Sequence, residues 1–160
     1  MSLKSVIVVG ASSGVGAALA LRFAKEGRPV AILARRAEKL ESVCKEATDA
    51  KPDAVIKAYP HDVLNFSDVP ALFDQIESDL GAADTLIYAS GVLPEVGPEE
   101  FNNEKDLSII QIGFTGAISW LNEAANRFTA AGGGTICGIS SIAGERGRTG
   151  MPSYHAAKAG

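Results

Sequence analysis

The amino-acid sequence predicts an α/β fold, a parallel sheet covered by helices, on three observations. Strand and helix signals alternate at regular spacing from end to end. The first strand, Val6 to Val9, is a continuous β-branched run, as expected for a strand buried on both faces. A glycine-rich turn then leads straight into a helix. With 160 residues, 46% hydrophobic and 21% charged, the chain has enough length for one domain with a real core.

The elements follow in order. Helix character runs from about Val15 to Glu26 and stops at Gly27. Pro29 to Leu33 reads as a second strand, Ala37 to Thr48 as a helix with a charged face, and Ala54 to Tyr59 as a third strand. Ser67 or Asp68 is placed to cap a helix reaching Leu80, with Gly81 after it. Thr85 to Ala89 is the fourth strand. Pro94, Gly97 and Pro98 make Gly91 to Asn103 a loop. One long helix is expected from Asn103 to Ala130, roughly 40 Å at about 1.5 Å per residue. Gly132-Gly133-Gly134 ends it, Thr135 to Ile139 is the fifth strand, and a polar loop spans Ser140 to Gly150. Pro152 and Ser153 open a last helix ending at Gly160. A two-faced apolar fifth strand would leave an exposed sheet edge. Residues 1–160 are therefore expected to form a single dinucleotide-binding and catalytic domain that is C-terminally incomplete, or is completed by another polypeptide.

Several function classes are disfavoured. A formal net charge of −4 argues against nucleic acid or an anionic membrane as the main partner. Cys44 and Cys137 are too few for a disulfide framework and too distant in sequence for a metal knuckle, so no metal is expected. No signal-like segment precedes the first strand and no run approaches a membrane span, which makes a reducing cytoplasm the default.

The turn after the first strand is Gly10-Ala11-Ser12-Ser13-Gly14-Val15-Gly16. Its glycines permit a tight strand-to-helix turn, close backbone approach to a pyrophosphate, and close helix packing. The helix N-terminus presents free N–H groups and the positive dipole end, and Ser12 and Ser13 add hydroxyl donors. After the second strand stands Ala34-Arg35-Arg36, where a free ribose 2′-hydroxyl would want a carboxylate. An arginine fork suits a 2′-phosphate, so the expected cofactor is NADP rather than NAD. In His61-Asp62-Val63, the carboxylate of Asp62 is either an acceptor for an adenine amino group or a turn-forming aspartate, and His61 is read as a turn residue.

Tyr154 and Lys158 lie four apart at the start of the last helix and share one face. A phenol has an ordinary pKa near ~10; an ammonium one turn away favours phenolate, and a shift of about three units requires roughly 4 kcal/mol. Tyr154 can then exchange a proton with a carbonyl or alcohol oxygen. Ser141, just past the fifth strand at the carboxyl edge of the sheet, can orient that oxygen, with Ser140 as the competing candidate.

The ordered set Gly10-x-x-x-Gly14-x-Gly16, Asp62-Val63, Ser141 and Tyr154-x-x-x-Lys158 resembles the short-chain dehydrogenase/reductase family across the whole chain. The resemblance implies a Rossmann-type doubly wound parallel sheet with helices on both faces, lacking the last strands of the complete fold. It implies Tyr154 as acid/base, Lys158 holding the nicotinamide ribose, and Ser141, thirteen residues before Tyr154, steadying a carbonyl or alcohol substrate. It favours Arg35 over Arg36 as the main 2′-phosphate contact, and places Ala89, Ser90 and Gly91 against the cofactor. The sequence departs from the family at Tyr88-Ala89-Ser90-Gly91, where Asn-Asn-Ala-Gly is usual. It departs again at Gly113, where the family's fourth catalytic residue is an asparagine; Gln111 would point away on a regular helix. The family also resembles a homo-oligomer former through the long helix and the Tyr154 helix, where Gly113, Gly116 and Ala117 permit close approach. The loop from Gly144 to Met151, with Glu145, Arg146 and Arg148, is expected to border the substrate pocket. The expected function is NADP-dependent hydride transfer; the alternative is a nucleotide-binding regulatory or interaction protein without efficient turnover.

Overall fold

The computed structural model describes residues 3–97, 100–147 and 150–160. Met1 and Ser2, Pro98 of the expected loop, and Arg148 of the expected pocket border lie outside them. Five strands form one sheet: β1 (Ser5–Val9), β2 (Val30–Ala34), β3 (Ile56–Pro60), β4 (Ala83–Tyr88) and β5 (Thr135–Gly138). All pair in parallel, in the order β3-β2-β1-β4-β5. The helices are α1 (Gly14–Lys25), α2 (Ala37–Ala50), α3 (Val69–Leu80), α4 (Asn103–Ile110), α5 (Gly116–Ala130) and α6 (Pro152–Ala159).

Successive strand residues point to opposite faces, so the apolar runs of β1 and β2 feed two cores. Ile7, Val9, Leu33 and Leu86 meet Phe73 of α3 and Trp120 of α5 on one face. Val6, Val8, Val30 and Ile32 meet Ala20 of α1 and Leu40 of α2 on the other. The result is the doubly wound α/β architecture expected from the sequence. The chain winds outward from β1 to β3 and resumes on the other side with β4 and β5, which puts the switch point between β1 and β4. Open α/β sheets bind ligands in the crevice beyond the strand ends at such a point.

Three local expectations need correction. The helix from Asn103 to Ala130 is not regular: Gln111–Thr115 form a wider π-helical segment between α4 and α5. Its cause is tertiary: the Tyr88 hydroxyl donates to the Ile112 carbonyl at 2.6 Å, taking an acceptor from the helix ladder. Neither Ser67 nor Asp68 caps α3 with its side chain. A 3₁₀ turn, Phe66–Asp68, leads in instead, and Pro70 sits in the first turn, where a missing N–H costs little. His61, read as a turn residue, is buried. Strand β5 is the exposed edge the sequence suggested, with Ile136 41% exposed. No described helix is long and apolar enough to cross a membrane.

Candidate functional site

At the switch point lies a cleft of about 380 Å³ over the carboxyl ends of β1, β2 and β4. Its floor is the β1–α1 turn: Gly10, Ser12, Ser13, Gly14, Val15 and Gly16 all line it. The glycines are demanded by geometry. A Cβ on Gly10 would collide with the Ser90 backbone, and one on Gly16 with the Gly10 carbonyl. Gly14 adopts φ +59 and faces open space, so its backbone stays bare. The turn thus delivers the α1 N-terminus, with its unpaired N–H groups, to the cleft.

Arg35 and Arg36 close one end of the cleft. Arg36 Nη2 donates to Ser12 Oγ at 2.8 Å and to Ser13 Oγ at 3.3 Å, so its guanidinium already lies across the turn. Arg36, the arginine given the lesser role by the resemblance, is the one bonded to the cradle. Ala89, Ser90 and Gly91 form the β4 side, joined by Val92, Ile112 and Ile139. The sequence had no pattern pointing to these three apolar walls.

Residues 61–63 split. His61 and Val63 lie on the wall, whereas Asp62 does not; its Oδ1 accepts the Leu64 N–H at 3.1 Å in a turn. Burial holds the His61 imidazole below its ordinary pKa, opposed by the Asp68 and Asp62 carboxylates, so the ring favours its neutral form.

Lys158 stands beside Gly91 at one side of the cleft, with Tyr154 next to it. The Lys158 ammonium is 5.9 Å from the centroid of the Tyr154 ring and donates to the Ile139 carbonyl at 2.8 Å. A Cβ on Gly91 would lie 3.7 Å from Lys158 Nζ, so this glycine leaves the ammonium open to the cleft floor. Burial pulls the Lys158 pKa down. The two serines differ in what their hydroxyls do. Ser140 donates to the Lys158 carbonyl at 2.8 Å and ties β5 to α6. Ser141 Oγ accepts the Ala143 N–H at 3.2 Å, which leaves its proton without a partner among the described residues.

Helix α6 is seated on α4 and the π segment. Ser153 donates to Asp106 at 2.6 Å, and a Cβ on Gly113 would meet Ala157 at 3.4 Å. Lys158 also lines a second cavity of about 300 Å³ with Tyr88, Gly113, Phe114 and Ala157. Gln111 is exposed, in keeping with its expected orientation away from the site. Glu145 and Arg146 are exposed on the β5–α6 loop.

Comparison with known proteins agrees with this arrangement. Residues 4–160 match the family model described as short chain dehydrogenase. An uncharacterized oxidoreductase of Mycobacterium tuberculosis is 30% identical over 158 residues, covering 98% of this chain and 62% of that protein. The cis-4-hydroxycyclohexanecarboxylate dehydrogenase of Sinomonas cyclohexanicum is 34% identical over the same length and the same shares. The crystal structure of a metagenomic short-chain oxidoreductase in complex with NADP superposes with a TM-score of 0.88 at 28% identity, over 99% of this chain and 71% of that one. The chain thus spans 62% of the length of these curated relatives.

Proposed function

This chain belongs to the short-chain dehydrogenase/reductase family, and from that membership we propose that it seats NADP in the switch-point cleft, within a protein that transfers hydride between the nicotinamide and a carbonyl or alcohol. The residues present fit the group. The glycine turn keeps backbone amides bare at the α1 N-terminus, where a pyrophosphate gains from both the N–H groups and the helix dipole. The hydroxyls of Ser12 and Ser13, with the guanidinia of Arg36 and Arg35, form a cationic end for a 2′-phosphate. Val63 lines the wall where the adenine end would lie, and Ala89, Ser90 and Gly91 line the β4 side, where they would meet the nicotinamide half. The relative that carries NADP supports the choice of cofactor.

A bound nicotinamide supplies the hydride; this chain's residues supply orientation and the proton. Ser141 has a hydroxyl proton free to hold the substrate oxygen, which its neighbour Ser140 lacks. Tyr154 delivers a proton to that oxygen in reduction and takes it in oxidation. The Lys158 ammonium lies beside both the Tyr154 ring and Gly91, where it would hold the nicotinamide ribose. One observation supports this reading: Lys158 Nζ lies 5.9 Å from the centroid of the Tyr154 ring and 3.7 Å from the Cβ position of Gly91, a residue of the cleft lining.

Tyr154→Phe tests it. The expected result is a fall in ketone or aldehyde reduction of about 10²–10⁴-fold with unchanged NADPH affinity. Turnover persisting in that variant overturns the role of Tyr154. The second reading, a nucleotide-binding regulator, draws on Gly113, which brings no amide to the site and packs on Ala157. It forecasts NADPH binding with no turnover across a broad carbonyl panel. Self-association through α4, α5 and α6 belongs to the same proposal, and sedimentation that shows only monomer would remove it.

A further inference from the structure

Tyr88 and Gly113, two departures from the family pattern, line one cavity together with Lys158. Tyr88 is 3% exposed, and its hydroxyl donates to the Ile112 carbonyl. In a regular α-helix that carbonyl would accept the Gly116 N–H, four residues on. Here the Gly116 N–H goes to the Gln111 carbonyl instead, which makes the turn one residue wider. Burial pushes the Tyr88 pKa up, so the hydroxyl keeps its proton and remains a donor. Its place is left open by a glycine: a Cβ on Gly116 would lie 2.6 Å from the Tyr88 oxygen.

Helix α6 rests on this wide turn. The Ala157 methyl is buried and 3.4 Å from the Cβ position of Gly113, the residue after Ile112, and Lys158 follows Ala157. Tyr88 also meets Lys158 through the backbone. Its carbonyl accepts the Ile139 N–H at 2.9 Å, and the Ile139 carbonyl accepts Lys158 Nζ at 2.8 Å. Without the hydroxyl, the stranded Ile112 carbonyl would regain a partner by recapturing the Gly116 N–H. Closing the turn by one residue would rotate α4 against α5 by up to about 100° and disturb the seat of Ala157. Resting on the hydride-transfer reading above, we propose that Tyr88 is a positioning residue for the proton step: its hydroxyl holds the wide turn that seats α6, and so sets where Lys158 stands against Tyr154.

The test follows the Tyr154 phenol by ultraviolet titration, without cofactor. The chain has three tyrosines, and burial holds Tyr59 and Tyr88 above the ordinary phenol range. The phenolate absorbance lost in Tyr154→Phe is assigned to Tyr154. An ammonium beside a phenol favours its ionised form, so a displaced Lys158 raises the midpoint. Tyr88→Phe is expected to raise it by about one pH unit, a tenfold loss of phenolate below the midpoint. His155, whose ring centroid lies 6.4 Å from that of Tyr154, and Asp106, bonded to Ser153, are the same in every variant. In Tyr88→Phe with Gly116→Ser, the new hydroxyl can donate back to the Ile112 carbonyl, four residues earlier, and should return the midpoint to within about 0.3 pH unit of the unmodified chain. In Tyr88→Phe with Gly116→Ala no donor exists, and the midpoint should stay raised. Circular dichroism across the pH range reports whether each variant stays folded, and the Ser–Ala contrast decides the matter if Tyr88→Phe alone does not fold. An unmoved midpoint in Tyr88→Phe, or equal midpoints in the two double variants, overturns the proposal and leaves the hydride-transfer reading standing. Failure of the unmodified chain to bind NADPH overturns that reading, and with it the proton step that Tyr88 serves.

Discussion

The β1–α1–β2 unit and the β5–α6 unit occupy opposite ends of one cleft and are built differently. Every residue of β1 is buried, as are four of the five in β2, and the turn between β1 and α1 has no space for a side chain at Gly10 or Gly16. In β5 no residue is buried, and in α6 only Ala157 is. The cradle half is therefore held by two hydrophobic cores that exist wherever the sheet exists. The half bearing Tyr154 is held by discrete bonds: Ser140 to the Lys158 carbonyl, Lys158 to the Ile139 carbonyl, and Ser153 to Asp106. Positions in the first unit should respond to substitution as core does. Positions in the second should respond locally, with stability concentrated elsewhere.

The contrast breaks most visibly at Gly10. Gly10→Ala puts a Cβ against the Ser90 and Ala89 backbone at φ +93. Overpacking and backbone strain together are expected to cost about 2–6 kcal/mol and to abolish NADPH binding. Denaturant unfolding and a fluorescence titration check both; retained binding would show that the turn is looser than its geometry.

Between the two units lies a coupled pair. A Cβ on Gly116 would sit 2.6 Å from the Tyr88 hydroxyl, the group that holds the Ile112 carbonyl in the π segment. Gly116→Ala is expected to cost about 1–3 kcal/mol by overpacking. Tyr88→Phe should cost a similar ~1–3 kcal/mol by stranding a buried carbonyl. In the double variant the lost hydroxyl makes room for the new methyl, so the two costs should add to less than their sum. Simple additivity in denaturant melts would mean the hydroxyl and the glycine are independent.

The smallest effect is expected in the second unit. Ser153→Ala removes one half-buried bond to Asp106 and should cost about 1 kcal/mol. Its signature is local: amides of α6 exchange faster while the global unfolding midpoint hardly moves. Uniformly faster exchange through β1 and β2 would show the two units to be one cooperative body.

These differences also explain what could be read from the sequence. The β-branched runs and the Gly10–Gly16 spacing encode the cradle locally, so its strands, helix and glycine roles were legible. Arg35 and Arg36 were legible as a cationic pair, but which one crosses the turn depends on side-chain reach that spacing does not reveal. Ser140 and Ser141 are adjacent and chemically alike; the resemblance favoured Ser141, and their different bonds, Ser140 donating to the Lys158 carbonyl and Ser141 accepting from Ala143, follow from folding that spacing does not reveal. The π segment was hidden because one wider turn leaves the apolar spacing of a long helix almost unchanged. Its cause, the bond from Tyr88, comes from a strand 24 residues earlier. His61 was misread for a related reason. A single polar residue after a strand looks like a turn, and only the packing of Trp120 shows that it faces inward.

The most direct check on the cofactor reading is a pair of binding titrations of the unmodified chain, one with NADPH and one with NADH. The cradle and its two arginines call for NADPH to bind at least about tenfold tighter, with Arg36→Ala narrowing that gap. Equal affinity for the two dinucleotides would contradict it.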